Sequence, residues 1–135
     1  MFTLEFDHTH NVLLTRFRGM LLADDIRTLD QAVRLFVRDH GPVRRLLDFS
    51  DVSTVAIPES FLGSRLTQIS LGQAHVFVVP QEELLALIRN YVREQRDYGN
   101  PEPAIVPTVG EAYVVLNIDG PRFAPVPGFD GGWRS

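Results

Sequence analysis

The chain has 135 residues, of which 44% are hydrophobic, and it contains no cysteine. This composition fits one compact soluble domain with a single core, and it excludes disulfides and thiolate chemistry. The net charge is −4 and all 13 cationic side chains are arginine, which excludes lysine chemistry and argues against nucleic acid as a partner. No apolar run approaches the ~20 residues of a membrane span, and no signal peptide is predicted, so we expect a cytoplasmic protein.

The first part of the chain predicts two strands and a helix. Residues 2–7 alternate between apolar and polar side chains, and residues 12–18 do the same, which indicates an antiparallel pair with Gly19 ending the second strand. Residues 24–39 carry apolar side chains at helical spacing, and Gly41-Pro42 is expected to stop this helix.

The middle of the chain alternates between strands and helices. Residues 43–49 predict a strand covered on both faces, followed by a polar loop and a short helix that starts at Pro58. Residues 75–79 predict a second buried strand, and residues 81–98 predict the longest helix.

Two further elements follow. Ala104–Val106 predicts a short strand, and Thr108 with Glu111 forms a capping box for a last helix that ends near Leu116. The resulting order, β-β-α-β-α-β-α-β-α, predicts an α/β sandwich in which parallel inner strands follow an antiparallel start. We expect one domain over residues 1–117 and a separate tail over residues 118–135.

Four segments between Arg16 and Leu116 resemble a known family. They are R-F-R-G-M-L-L-A-D-D, R-R-L-L-D-F-S-D-V, H-V-F-V-V-P and T-V-G-E-A-Y-V-V-L. This pattern resembles the STAS domain, the fold of bacterial anti-anti-sigma factors, and within it the STAS/SEC14-like (SpoIIAA-like) group of small bacterial proteins. The resemblance implies a mixed, mostly parallel sheet with helices.

The chain departs from signalling STAS proteins at the phosphorylated serine. The resemblance places an Asp-Ser-Ser-Gly motif at the start of the helix that follows the strand over residues 43–49, and its positions are counted on from Asp48. Here those positions hold Ala56, Ile57, Pro58 and Glu59. We therefore expect no phosphoserine switch, with Ser53 and Ser60 lying out of register.

Five polar side chains lie at or after the end of the strand 43–49. Open α/β sheets present their ligands and partners at the carboxyl ends of strands, so this region is the predicted docking or ligand loop. Its acids could form a carboxylate pair or hold magnesium, but acids after a buried strand more often cap loop amides or the next helix. No serine lies in a G-x-S-x-G motif, which argues against a nucleophile. The set is Asp48, Ser50, Asp51, Ser53 and Ser60.

Two histidines in the first turn form the weakest candidate site. His8 and His10 would share one face if the strand continued, and two imidazoles could then bind a metal. Metal sites need three or four ligands, and no third ligand can be assigned, so solvated turn residues are the expected state. His40 is expected to act as a helix C-terminal cation and His75 as the first residue of a strand. We expect neither a metal nor a cofactor.

The helix over residues 81–98 carries an apolar stripe. Helical spacing by itself requires only burial, so the stripe is expected to belong to the core. Because the group is similar to the lipid-exchanging SEC14 fold, the same stripe could line a lipophilic pocket. The stripe consists of Leu84, Leu87, Ile88 and Tyr91.

The tail over residues 118–135 is rich in Pro and Gly and is expected to form neither helix nor strand. Phe123, Phe129 and Trp133 are nevertheless more apolar than a solvated tail requires. We expect the tail to dock on folded protein, either on its own domain or on a neighbouring protomer, which would make a homodimer.

These patterns favour a non-catalytic regulatory or protein-interaction module with a protein partner. The alternative is a carrier or sensor of a small lipophilic ligand. No catalytic motif is present, so an enzyme is not expected.

Overall fold

A computed structural model of the chain describes residues 1–57, 75–97 and 102–127. The strands are β1 (Phe2–Asp7), β2 (Val12–Leu22), β3 (Arg44–Ala56), β4 (Val76–Val78), β5 (Ala104–Val106) and β6 (Ala124–Pro125). The helices are α1 (Ala23–His40), α2 (Glu82–Asp97) and α3 (Val109–Leu116). The helix predicted to start at Pro58, which includes Ser60, lies outside the described residues.

One mixed sheet organises the described part of the chain, in the order β5-β4-β3-β2-β1-β6. Strands β2 to β5 are parallel to one another, whereas β1 is antiparallel to both β2 and β6. The predicted α/β architecture is therefore confirmed, including its antiparallel start. Parallel neighbours require crossover connections, and α1 supplies the one between β2 and β3.

Strands β2 and β3 are longer than the sequence patterns predicted. Gly19 was expected to end β2, but it has a φ of +68° at an irregular point of the ladder, and β2 continues to Leu22. The residues after Phe49 were expected to form a loop, but they pair with this continuation as far as Ala56. Polar composition alone indicated a loop, whereas a neighbouring strand supplies hydrogen-bonding partners that override it.

The helix boundaries follow their predicted signals closely. Asp25 in the first turn of α1 accepts a hydrogen bond from the backbone N–H of Leu22 at 2.9 Å. Gly41 ends α1 with a φ of +91° and donates to the carbonyl of Val37. Thr108 caps α3, since its hydroxyl oxygen accepts from the backbone N–H of Glu111 at 3.2 Å.

The tail contains a strand that was not expected. Residues Ala124–Pro125 form β6, which pairs with β1 at the edge of the sheet, and the N–H of Val126 donates to the carbonyl of Leu4. Proline is tolerated here because an edge strand needs hydrogen bonds on one side only. Phe129 and Trp133, on which the predicted docking of the tail depends, lie outside the described residues.

The sheet separates two apolar clusters. The larger one packs α1 and α2 against one face, and it includes Phe17, Phe49 and Phe77 from the strands. The smaller one packs α3 against the other face. Within the described ranges no helix is long and apolar enough to cross a membrane.

Candidate functional site

A groove lies between the second half of β3 and the start of α2. Its volume is about 370 Å³, within the range of ligand-sized pockets. Beyond Asp48, β3 pairs only with β2 among the described residues, so its other edge faces this groove. We call it the strand-end groove, and its described lining comprises Val52, Ser53, Thr54, Val55, Gln81, Glu83, Leu84 and Leu87.

The side chain of Gln81 connects the two walls of the strand-end groove. Its amide nitrogen donates to the carbonyl of Phe49 at 2.7 Å and to that of Val52 at 2.9 Å. These carbonyls belong to the part of β3 that has no described neighbouring strand on this side. A side-chain amide thus does there what the N–H of another strand would do. The sequence patterns did not single out Gln81, and its only signal was its position between Pro80 and the first turn of α2.

Asp48 and Ser50 do not belong to the groove. Asp48 is paired with Arg16 and Val78, so its side chain lies on the sheet face that α3 covers. It is almost fully buried, and its Oδ1 accepts from the backbone N–H of Ser50 at 2.9 Å and from the Ser50 hydroxyl at 2.5 Å. This is a local turn-like bond of the kind expected for a structural aspartate.

A charged cluster surrounds Asp48 on this face. The guanidinium of Arg16 lies 3.7 Å from Asp48 and 3.6 Å from Glu5, so one cation stands between two carboxylates. Burial raises the pKa of the nearby Tyr113 hydroxyl; Arg16 acts to lower it, while Asp48 and Glu5 act to raise it. The phenol therefore stays protonated at neutral pH. The cluster spans three strands, and its contacts are electrostatic, because Arg16 Nε and Glu5 Oε2 are buried without a hydrogen-bond partner among the described residues.

Asp51 and Ser53 are both exposed residues of β3. Asp51 is paired with Arg18 and makes no hydrogen bond or ion pair within the described residues. Ser53 lines the strand-end groove. Of the predicted polar set, the structure therefore places Ser53 in the groove and Asp48 on the other side of β3, where it accepts hydrogen bonds from the exposed Ser50. Their proposed roles in docking remain predictions.

The apolar stripe of α2 divides between the core and the groove. Ile88 and Tyr91 are 3% and 2% exposed and pack in the larger core cluster. Leu84 and Leu87 line the strand-end groove. Tyr91 lies near the buried guanidinium of Arg45. Burial lowers the pKa of Arg45 to about 10, while Tyr91 and Asp30 act to raise it. Leu84 is itself only 4% exposed and also belongs to the core cluster, so Leu87 is the partly buried member of the stripe that the groove exposes.

The histidines of the first turn have separate partners. His10 hydrogen-bonds through Nδ1 to Asp7 at 2.7 Å, whereas His8 contacts the rings of Phe6 and His40. Burial acts to raise the pKa of Asp7, but the bonds from His10 and the backbone outweigh it and lower that pKa. In the described part of the chain, no group of three or more His, Asp and Glu side chains could hold a metal ion.

A solved structure shares this arrangement of strands and helices. It is that of the anti-sigma factor antagonist SpoIIAA in its unphosphorylated form, with a TM-score of 0.55 and 13% sequence identity. The match covers 84% of this chain and 94% of that chain. The chain has a STAS-like fold. This confirms the fold that the sequence predicted, and at this identity the similarity concerns the fold alone. No protein-family model and no curated protein matches the sequence.

Proposed function

We propose that the protein is a non-catalytic interaction module of STAS-like fold that binds a protein partner at the strand-end groove. The observation that carries the proposal is the edge of β3 beyond Asp48, which faces the groove without a described neighbouring strand. Past the carbonyls of Phe49 and Val52, which Gln81 already occupies, such an edge offers backbone donors and acceptors to an extended segment of another protein. The structural neighbour is itself described as an antagonist of an anti-sigma factor, which supports a regulatory interaction.

The groove provides both affinity and orientation for such a segment. Main-chain hydrogen bonds to the strand edge would supply affinity, and the half-buried Leu87 and Val55 would offer apolar contacts to alternate side chains of the segment. Glu83 is exposed at the rim, so a basic side chain of the partner would be favoured beside it. Gln81 holds the strand backbone in place before the partner arrives, which lowers the entropy lost on binding.

The partner interaction is proposed to be independent of serine phosphorylation. The two serine positions of the signalling motif hold Ile57 and Pro58, which carry no hydroxyl, and Ala56, the last residue of β3, stands at the position of its Asp. Binding would then be controlled by the concentration of the partner rather than by a kinase acting at this motif.

Site-specific photo-cross-linking tests the proposal. A photoreactive residue is placed at Ser53 in the groove and, as the matched control, at Val114, which is 79% exposed on α3. We expect a discrete protein adduct in cells of the native host from position 53 only. With the partner purified, Leu87→Asp should weaken binding at least about tenfold, which corresponds to ~1.4 kcal/mol, and Val114→Asp should not. Circular dichroism checks that both variants are folded.

Two results would contradict the proposal. An adduct from position 114 and none from position 53 would place the interface elsewhere. Native mass spectrometry that finds a stoichiometric small lipophile, lost in Leu87→Asp, would instead favour the carrier alternative with Leu84 and Leu87 as its contacts.

A further inference from the structure

Gln81 occupies backbone acceptors on the edge of β3 that a neighbouring strand would otherwise use. Its Nε2 donates to the carbonyls of Phe49 and Val52 at 2.7 and 2.9 Å, and it lies 3.5 Å from the carbonyl of Ser50. Exposed strand edges pair readily with strands of other chains, including further copies of the same chain. The Gln81 amide therefore stands where such pairing would begin, directly after the part of β3 that pairs with β4.

The backbone of β3 is irregular at the same place. The ladder between β2 and β3 shifts register between Arg16 and Arg18, and β3 has one extra residue opposite this step. In a regular strand, carbonyls three residues apart lie about 10 Å from each other and point to opposite sides. The extra residue brings the carbonyls of Phe49 and Val52 to one side, where a single nitrogen bonds both. A regular partner strand has no donors that match this arrangement.

Local structure holds the Gln81 side chain in this position. Gln81 follows Pro80, and its carbonyl accepts from the N–H of Leu85 at 2.9 Å, so its backbone is anchored to the first turn of α2. Its Oε1 is buried and has no hydrogen-bond partner in the described part of the chain. A buried acceptor without a partner costs free energy, so the two donated bonds determine how the amide is oriented. Gln81 therefore acts at this edge as a donor.

We propose that Gln81 determines the specificity of the strand-end groove by preventing β3 from pairing with a second copy of this chain. With the carbonyls of Phe49 and Val52 already bound, a second copy cannot extend the sheet from the end of the β3–β4 ladder. Residues 53–56 of β3 remain for a partner segment. So short an edge favours a partner that adds side-chain contacts in the groove over one that pairs through its backbone alone. The advantage to the partner rests on the proposed function, whereas the block against a second copy is a property of this chain.

Gln81→Met tests the proposal in the full-length chain. Methionine keeps the approximate length of the side chain and removes both donated bonds, so it opens the edge with little change in volume. Sedimentation velocity over a series of protein concentrations measures self-association. We expect it to be at least about tenfold stronger than in the wild type, since two freed carbonyls offer a second copy two further hydrogen bonds. Gln31→Met, the same change at an exposed position of α1, is the matched control and should behave as the wild type. A photoreactive residue at Ser53 should give a covalent dimer in the Gln81→Met background and none in the wild type.

Loss of stability also promotes aggregation, so Asp48→Ala is measured as a second control. The Asp48 side chain lies on the other face of the sheet, and its removal is expected to lower stability to a similar extent. Gln81→Ala removes the same donors as Gln81→Met and should give the same result, and circular dichroism checks that each variant is folded.

Three results would overturn the proposal. The folded Gln81 variants associate no more strongly than the wild type, Asp48→Ala associates as strongly as they do, or the wild type itself forms the covalent dimer through position 53. None of these measurements involves a partner, so such a result leaves the proposed function standing. The absence of a partner adduct in host cells would contradict the proposed function alone.

Discussion

The side-chain amide of Gln81 donates a hydrogen bond to the backbone carbonyl of Val52 at 2.9 Å and thereby joins the start of α2 to the second half of β3. The same nitrogen also donates to Phe49 at 2.7 Å. Both carbonyls lie on the edge of β3 that faces away from β2 and has no described neighbouring strand, so one side chain maintains the shape of the strand-end groove. The proposed docking site therefore depends on a residue outside the strand that forms its wall.

Gln81→Ala tests how much the hydrogen bonds of Gln81 contribute to the stability of the fold. The substitution leaves the carbonyls of Phe49 and Val52 without their donor, so we expect the free energy of unfolding to fall by about 1–3 kcal/mol. Chemical denaturation measures the change. Gln31→Ala, at an exposed position of α1, is the matched control and should stay within about 0.5 kcal/mol of the wild type. Equal losses in the two variants would mean that the Gln81 bonds contribute little.

Asp48 and Asp51 of β3 should differ strongly in how much they contribute to stability. Asp48 is buried, accepts two bonds from Ser50 and lies beside Arg16, so Asp48→Ala should destabilise the protein by about 1–3 kcal/mol. Asp51 is exposed and has none of these contacts, so Asp51→Ala should change stability by less than about 0.5 kcal/mol. Thermal and denaturant unfolding of both variants provide the comparison. A larger loss of stability for Asp51→Ala than for Asp48→Ala would contradict the assignment of Asp48 as the stabilising aspartate.

His75 should make stability depend on pH. Burial lowers the pKa of His75, and the charges of Arg44 and Arg45 lower it further from its ordinary value of 6.5. The unfolded chain therefore binds a proton at a higher pH than the folded chain does. The free energy of unfolding should then decrease as the pH falls from about 6.5 toward the folded pKa. His75→Gln should flatten this part of the curve in denaturant titrations. An NMR titration that gives His75 a pKa above 6.5 would contradict the prediction.

The protein should carry no regulatory phosphate. Ile57 and Pro58 stand at the two serine positions of the signalling motif and have no hydroxyl group, and Ser53 lies earlier in β3. Co-expression with serine kinases of the native host, followed by intact-mass analysis, should show no stoichiometric phosphate. Phosphate on Ser53 or Ser60 that alters partner binding would disprove this expectation, and Ser53→Ala with Ser60→Ala would then identify the acceptor.

Much of the fold could be predicted because its signals are local. The spacing of apolar residues from Asp24 to Asp39 produces α1 directly, and Thr108 caps α3 through a bond that spans three residues. Gly41 ends α1 because a backbone with positive φ favours glycine. Each of these features depends on residues only a few positions apart in the chain, so it can be predicted from the sequence.

Features that depend on distant partners were decided only by the tertiary structure. The polar residues after Phe49 extend β3 because β2 lies beside them, and Pro125 joins a strand because β1 has a free edge. The strand-end groove depends in the same way on Gln81, about 30 residues from the carbonyls that it binds. The sequence by itself determined the order of elements and their inward faces, since burial follows periodicity. Only the tertiary structure decided which polar residues share a surface, because side chains far apart in sequence meet through packing alone.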